Sequence, residues 1–308
     1  MSDAVPRDAV LCSASNQTYV MGAAVALVSA VLHAPRGRHC RVYLLDGGIR
    51  PASWRKLEKT FAALPRSCEL IRLRPDMGRY AGLPQDWGSS VMTYARLALP
   101  QMVEEERIFY VDADLLVQAD WEPLWETPLC DGAVVAAAPD IVTKTLGGES
   151  LDLEKFCLDP AAPYLQAGLL LIDLAEWRRL GVSEKVVEYL RENPEHARHW
   201  DQSALNVVLY RRWKPLPMGW NTPAWWADLG REGCRIDAPV LHFVGPNKPW
   251  IYGFHTAPSG AAFFRFLDRT AWKGWRPNGV RFACKMAKYR AGKALQAVRG
   301  LFRRGGES

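Results

Sequence analysis

The sequence predicts a single α/β domain with a mostly parallel, doubly wound sheet and helices on both faces. Three observations predict it. Short apolar runs alternate with helical segments from Ala9 to Leu73, the order that builds a parallel sheet. An apolar strand, Arg107 to Val111, runs directly into two carboxylates, as strands do where an open sheet carries its ligand crevice. Finally, 308 residues with 49% apolar and 23% charged side chains supply a large core and lie far from a disordered composition.

The elements follow in order. Ala9 to Ser13 is the first strand, and Ala14 to Thr18 the polar loop after it. Val20 to Leu32 is rich in alanine and larger apolar residues and reads as a buried helix ending near Pro35. Arg41 to Asp46 is the second strand, turned by Gly47 and Gly48. Pro51 opens a helix to Leu64, in which Trp54, Leu57 and Phe61 share a face. Glu69 to Leu73 is the third strand. Residues 74–89 read as a loop rich in Pro, Gly and Asp, and residues 91–99 as a helix stopped by Pro100. Further strands are expected at Arg107–Val111, Ala133–Ala138, Tyr164–Ile172 and Leu241–Val244, and helices at Val182–Leu190 and Ala204–Tyr210. No repeat and no linker interrupts the chain before about residue 250. Residues 8–255 are therefore expected to form the main domain, and 256–308 a C-terminal extension.

Charge and cysteine usage narrow the function classes. The net charge of +6 is unevenly spread: residues 271–308 hold ten basic side chains and one acid, leaving the first 270 residues at −3. A nucleic-acid-binding body would not be mildly acidic, so no nucleic-acid partner is expected. Seven cysteines without a CxxC pair argue against a disulfide scaffold or zinc site. The N-terminus lacks the pattern of a secretory signal, which makes the cytoplasm the expected compartment. Walker, GxSxG, HExxH and GxGxxG motifs are all missing.

The sharpest chemical feature is Asp112-Ala113-Asp114. Alternation along a strand points residues i and i+2 the same way, so a turn there brings both carboxylates to one hard cation. Solvated acids in a loop are the plainer reading. His242, followed by Gly245 and Lys248, is either a half-buried core histidine or the third member of a cation set. Two carboxylates and an imidazole suit Mn²⁺, and Lys248 is a charge able to meet a phosphate. Asp140 lies at a strand end. Asp201 either caps the following helix or serves the site, with Gln202 beside it at the helix mouth.

These segments together are similar to family eight of the retaining glycosyltransferases, whose members include bacterial lipopolysaccharide and lipooligosaccharide galactosyl- and glucosyltransferases. The resemblance is carried by Thr93–Leu97, Phe109–Val117, Gln166–Asp173, Asp201–Asn206 and Leu241–Trp250, in the family's order, and covers about residues 8 to 252. It implies a GT-A fold and a retaining transfer of a hexose, glucose or galactose, from a UDP-sugar to a hydroxyl of a glycan or glycolipid. It implies Mn²⁺, with Mg²⁺ as the alternative, held by Asp112, Asp114 and His242. The donor would be met by Ala14, Ser15, Asn16, Tyr19, Arg96, Asp112, Ala113, Asp114, Gln166, Gly245 and Lys248. Gln202, Asp201 and Asp140 would lie at the reacting sugar. The family's Ala-Asp-Asp after the first strand is Ala14-Ser15-Asn16 here, and its Asn-Ala-Gly is Gln166-Ala167-Gly168. Other readings are a different nucleotide-sugar, a protein acceptor, or a non-catalytic sugar-nucleotide or glycan binder of the same fold.

The basic extension has its own pattern. Trp272, Trp275, Phe282, Met286, Tyr289, Leu295, Val298 and Phe302 are interleaved with Arg and Lys from Arg276 to Arg304. Aromatic and cationic residues at helical spacing suit an anionic membrane surface. A peripheral position on the inner face of the cell membrane is the leading expectation; a basic helix packed on the body or a frayed terminus, and contact with RNA, are the other readings.

Overall fold

The computed structural model describes residues 8–85, 90–246, 248–252 and 257–277. Its strands are β1 (Ala9–Ser15), β2 (Cys40–Asp46), β3 (Cys68–Leu73), β4 (Arg107–Val111), β5 (Leu115–Val117), β6 (Val135–Ala137), β7 (Leu169–Asp173), β8 (Trp213–Pro215), β9 (Thr222–Pro223) and β10 (Val240–His242). Its helices are α1 (Val20–Leu32), α2 (Pro51–Ala62), α3 (Leu99–Met102), α4 (Glu122–Trp125), α5 (Leu174–Leu180), α6 (Val182–Glu192), α7 (Asp201–Val208), α8 (Ala224–Asp228), α9 (Pro249–Tyr252) and α10 (Pro258–Leu267).

Among the described residues, seven strands form one sheet in the order β3-β2-β1-β4-β7-β6-β8. Pairing is parallel from β3 to β4, and β7 alone runs against both its neighbours. The register of β1 on β2 runs unbroken from Ala9 opposite Cys40 to Ser15 opposite Asp46. Every residue of β1 is buried, as its apolar run requires of a central strand covered on both faces. Helix α1 is apolar all round because it too is enclosed: it packs against β1, β5 and α10. The expected mixed α/β architecture is present.

The second sheet was not expected. It holds β5, β10 and β9, with β10 antiparallel to β5 and parallel to β9. These strands have two or three residues each, too few for a periodic signal. Residues 91–99 also differ from expectation. They form a 3-10 helix over Val91–Ala98, and Pro100 does not stop it but sits in the first turn of α3, where its missing N–H costs nothing.

Tryptophan is largely a core residue here: Trp121, Trp125 and Trp177 are fully buried. In the segment assigned to the extension, α10 packs on α1 and Phe263 is fully buried. Trp272 is also buried, with Lys56 of α2 over its ring at 5.3 Å, and Trp275 packs against the same core. Those two aromatics therefore belong to the body rather than to a lipid-facing series. Phe282 to Phe302 lie outside the described residues.

Candidate active site

The two sheets meet at Asp112-Ala113-Asp114, and this junction builds the site. The Asp112 N–H donates to the Gly168 carbonyl at 2.8 Å, which adds one rung to the β4–β7 ladder beyond Val111 opposite Leu169. Two residues later the Asp114 carbonyl accepts from the Phe243 N–H at 2.9 Å, and Leu115 pairs with His242 in the second sheet. The first carboxylate is thus fixed by one sheet and the second by the other. His242 arrives beside both because antiparallel pairing sets it opposite the residue after Asp114.

One ligand atom from each of Asp112, Asp114 and His242 lies within 4.8 Å of the others. His242 Nε2 is 3.2 Å from Asp114 Oδ1. Glycine at 168 is obligatory, since a Cβ there would stand 2.5 Å from His242 Cε1. Glycine at 22 is equally forced, by the Ala113 carbonyl 2.3 Å from where its Cβ would be. Oxygen, oxygen and imidazole nitrogen in one half-buried cluster fit a divalent cation of the Mn²⁺ or Mg²⁺ class.

Buried cations balance these acids. Arg96 Nη2 donates to Asp112 Oδ1 at 2.9 Å, its Nε lies 3.0 Å from Asp201 Oδ2, and its guanidinium covers the Tyr110 ring at 4.5 Å. Burial pushes the carboxyls of Asp112 and Asp201 above the usual range, with Arg96 opposing it in both. Asp114 goes the other way: burial works against its charge, but Lys248 and then His242 hold its carboxyl well below the ordinary value. Lys248 is itself buried, pairs with Asp114 Oδ2, and donates to the Phe243 carbonyl at 2.6 Å. Gly245, at φ +79°, turns the chain between them.

The remaining expected residues fall around this centre. Gln202 accepts from the Ala167 N–H at 3.0 Å and turns its amide nitrogen to Asp140 Oδ2 at 3.3 Å. Asp140 Oδ1 takes the N–H groups of Val142 and Thr143. Asp201 does not cap α7: the capping position belongs to Trp200, at φ +54°, and the Asp201 side chain turns inward to Thr93 and Arg96. Ser15 is buried and donates to the Asn16 carbonyl, while Asn16 Oδ1 accepts from the Thr18 and Tyr19 N–H groups and shapes the turn into α1. Ala14 is buried beside them at the end of β1. Tyr19 lies 5.7 Å from the Trp250 ring, with Lys248 Nζ 5.9 Å from its own. Gln166 Oε1 accepts from the Gly168 N–H at 2.6 Å and from Asn221 Nδ2 at 2.5 Å. Sequence reasoning missed Asn221, whose Oδ1 lies 2.8 Å from His242 Nδ1. A single Asn between Trp220 and Thr222 carries no spacing signal.

The family model for glycosyl transferase family 8 matches residues 10–253. The chain belongs to glycosyl transferase family 8. It is therefore a glycosyltransferase, and its matched span contains every residue of the site just described. General stress protein A of Bacillus subtilis is 27% identical over 281 residues, 85% of this chain and 94% of that protein. The glycosyltransferase GlyE of Streptococcus pneumoniae is 25% identical and covered to 55% of its length, so this transferase spans about half of that relative. Among solved structures, the galactosyltransferase LgtC in complex with donor and acceptor sugar analogs superposes with a TM-score of 0.72 at 24% identity, over 88% of this chain and 99% of that one. The apo bifunctional glycosyltransferase WbbM gives 0.70 at 19% identity, over 89% of this chain and 52% of that one. These likenesses show the GT-A fold.

Proposed function

We propose that the chain transfers a hexose from a UDP-hexose to a hydroxyl of a glycan or lipid-linked saccharide, with retention at the anomeric carbon and dependence on Mn²⁺. The observation that carries this reading is the convergence of Asp112, Asp114 and His242 within 4.8 Å, beside a buried lysine. A cation held there supplies Lewis-acid stabilisation of a leaving diphosphate.

The chain's own residues supply the rest. Lys248 adds fixed positive charge in a water-poor setting, where it is worth more than in bulk solvent. Gly245 leaves room for a phosphate to approach backbone. Ser15 and the Asn16 oxygen are engaged in the loop that ends β1, and Asn16 Nδ2 donates to Ser90 Oγ at 3.0 Å, so they hold the base-side wall in shape. Asp140 and Gln202 form a hydrogen-bonded pair at the sugar side. Asp140 puts a carboxylate there, which opposes a donor sugar bearing its own carboxylate and favours a neutral hexose.

Retention without an enzymic nucleophile fits these surroundings. The Gln202 amide is a poor nucleophile, Asp201 is occupied by Thr93 and Arg96, and both Asp140 oxygens are engaged, by the Val142 and Thr143 N–H groups and by the Gln202 amide. The C1–O bond to the diphosphate breaks and the acceptor oxygen bonds to C1 on the same face, with the acceptor's proton passing to the departing phosphate oxygen; this needs positioning and charge stabilisation instead. A panel of UDP-, GDP-, ADP- and dTDP-hexoses, assayed for transfer and hydrolysis with Mn²⁺ and with chelator, tests the reading. Turnover confined to a UDP-hexose and lost with chelator is the expected outcome. An enzyme without turnover or metal-dependent binding of any of these donors would end it.

A further inference from the structure

Asn221 is 5% exposed, in the 3-10 helix Met218–Asn221 that leads into β9. The direction in which it faces is decided by a backbone group. The Gly168 N–H can only donate, and it reaches the Gln166 side chain at 2.6 Å, so the Gln166 atom there is its oxygen. The Asn221 atom 2.5 Å from that oxygen is then its amino nitrogen. Its carbonyl oxygen is left facing His242 Nδ1 at 2.8 Å, and an acceptor there requires the hydrogen on Nδ1. Nε2 is consequently the ring nitrogen presented to Asp112 and Asp114.

We propose that Gln166 and Asn221 form a hydrogen-bond relay from the Gly168 backbone to His242, which fixes the rotation of the imidazole and sets the cation affinity of the site. Both act as positioning residues through His242. The inference rests on the reading that the site holds Mn²⁺. Two features of the fold support it. Gly168 packs closely against the same ring, since a Cβ there would stand 2.5 Å from His242 Cε1 and 3.0 Å from Nδ1. The parallel pairing of β9 with β10 places Asn221 two residues before Pro223, the partner of His242, so the contact is built into the second sheet. A glutamine at 166, where the family pattern has asparagine, supplies the extra methylene that lets the amide oxygen fold back to both donors.

Titration with Mn²⁺ alone, followed by the paramagnetic resonance of the free ion, tests the relay. It compares the wild type with Asn221→Leu, Asn221→Asp and Gln166→Leu, each checked for folding by circular dichroism. Asn221→Leu is expected to weaken binding about 10- to 100-fold, the range for removal of a ligand's hydrogen-bond partner. Asn221→Asp keeps an acceptor for Nδ1 but loses the Gln166 bond, and is expected to bind between the wild type and Asn221→Leu. A merely structural asparagine would not be rescued in this way. Gln166→Leu should weaken binding less than Asn221→Leu. Wild-type affinity in folded Asn221→Leu, or an Asn221→Asp protein as weak as Asn221→Leu, overturns the relay. If Asn221→Leu does not fold, unchanged affinity in Gln166→Leu overturns it. A wild type that binds no Mn²⁺ removes the metal reading and the relay together, which separates that failure from failure of the relay alone.

Discussion

Arg96 ties three parts of the site to one buried charge. It contacts Asp112 at the end of β4, Asp201 at the start of α7 and the carbonyl of Ala167 ahead of β7. Removing it leaves the buried Asp201 and the half-buried Asp112 with only the neutral hydroxyls of Thr93 and Tyr110 in place of a cation. Arg96→Leu is expected to cost about 3 to 5 kcal/mol, read as a lower urea midpoint at unchanged slope. Gly168→Ala tests the packing of the ring directly. The new methyl would collide with His242 and with Gln166 Oε1 at 2.9 Å, so the variant should fold with a loss of about 1 to 3 kcal/mol and bind Mn²⁺ more weakly than wild type. A folded Gly168→Ala protein with full metal affinity would show that the ring has slack the packing denies. At this scale the acids and the histidine were legible in the sequence because residue type announces their chemistry. Asn221 was not, since its role comes from the two groups it faces and neither is near it in the chain.

Among the elements, the site exists because the chain leaves the main sheet after β4 and pairs as β5 with β10. The long strands β1, β2 and β4 were readable from their apolar runs. The reversed direction of β7 was not, because direction is set by pairing with distant strands. The short β5 and β9 draw stability from the neighbours they join, so local propensity says little about them. Leu241, fully buried between Leu116 and Thr222, should therefore matter more than its short strand implies: Leu241→Ala is expected to cost about 2 to 5 kcal/mol and to lower Mn²⁺ binding along with stability. The end of α10 carries a pH-dependent clasp. Arg276 and the Gly274 N–H hold Asp268 at about 2, below its ordinary carboxyl range. A lowered folded value means the clasp stabilises above about pH 4, the unfolded value, and is lost as pH falls toward the folded one. Both partners are well exposed, with side-chain accessibilities of 41% and 34%, so Asp268→Asn should cost less than about 1 kcal/mol. Its signature is a smaller loss of thermal stability than wild type on acidification from pH 5 to pH 3.

For the whole molecule, charge separates body from tail. The first 270 residues carry −3 and the last 38 carry +9, a distribution that suits a body held near an anionic surface by its end. Because Trp272 and Trp275 are packed into the body, the informative truncation is after Pro277, not after Ala271. That truncation is expected to keep the melting temperature and any UDP-hexose turnover, while co-sedimentation with anionic liposomes falls. Unchanged co-sedimentation would remove the membrane proposal and leave the transferase untouched. The central claim is that the junction of the two sheets grips a nucleotide diphosphate through a shared cation. Calorimetric titration of UDP into the wild type and Asp114→Asn, each with Mn²⁺ and with chelator, tests it most directly. Binding is expected for the wild type only with Mn²⁺ and for the variant in neither condition; equal UDP affinity in chelator would overturn the shared-cation site.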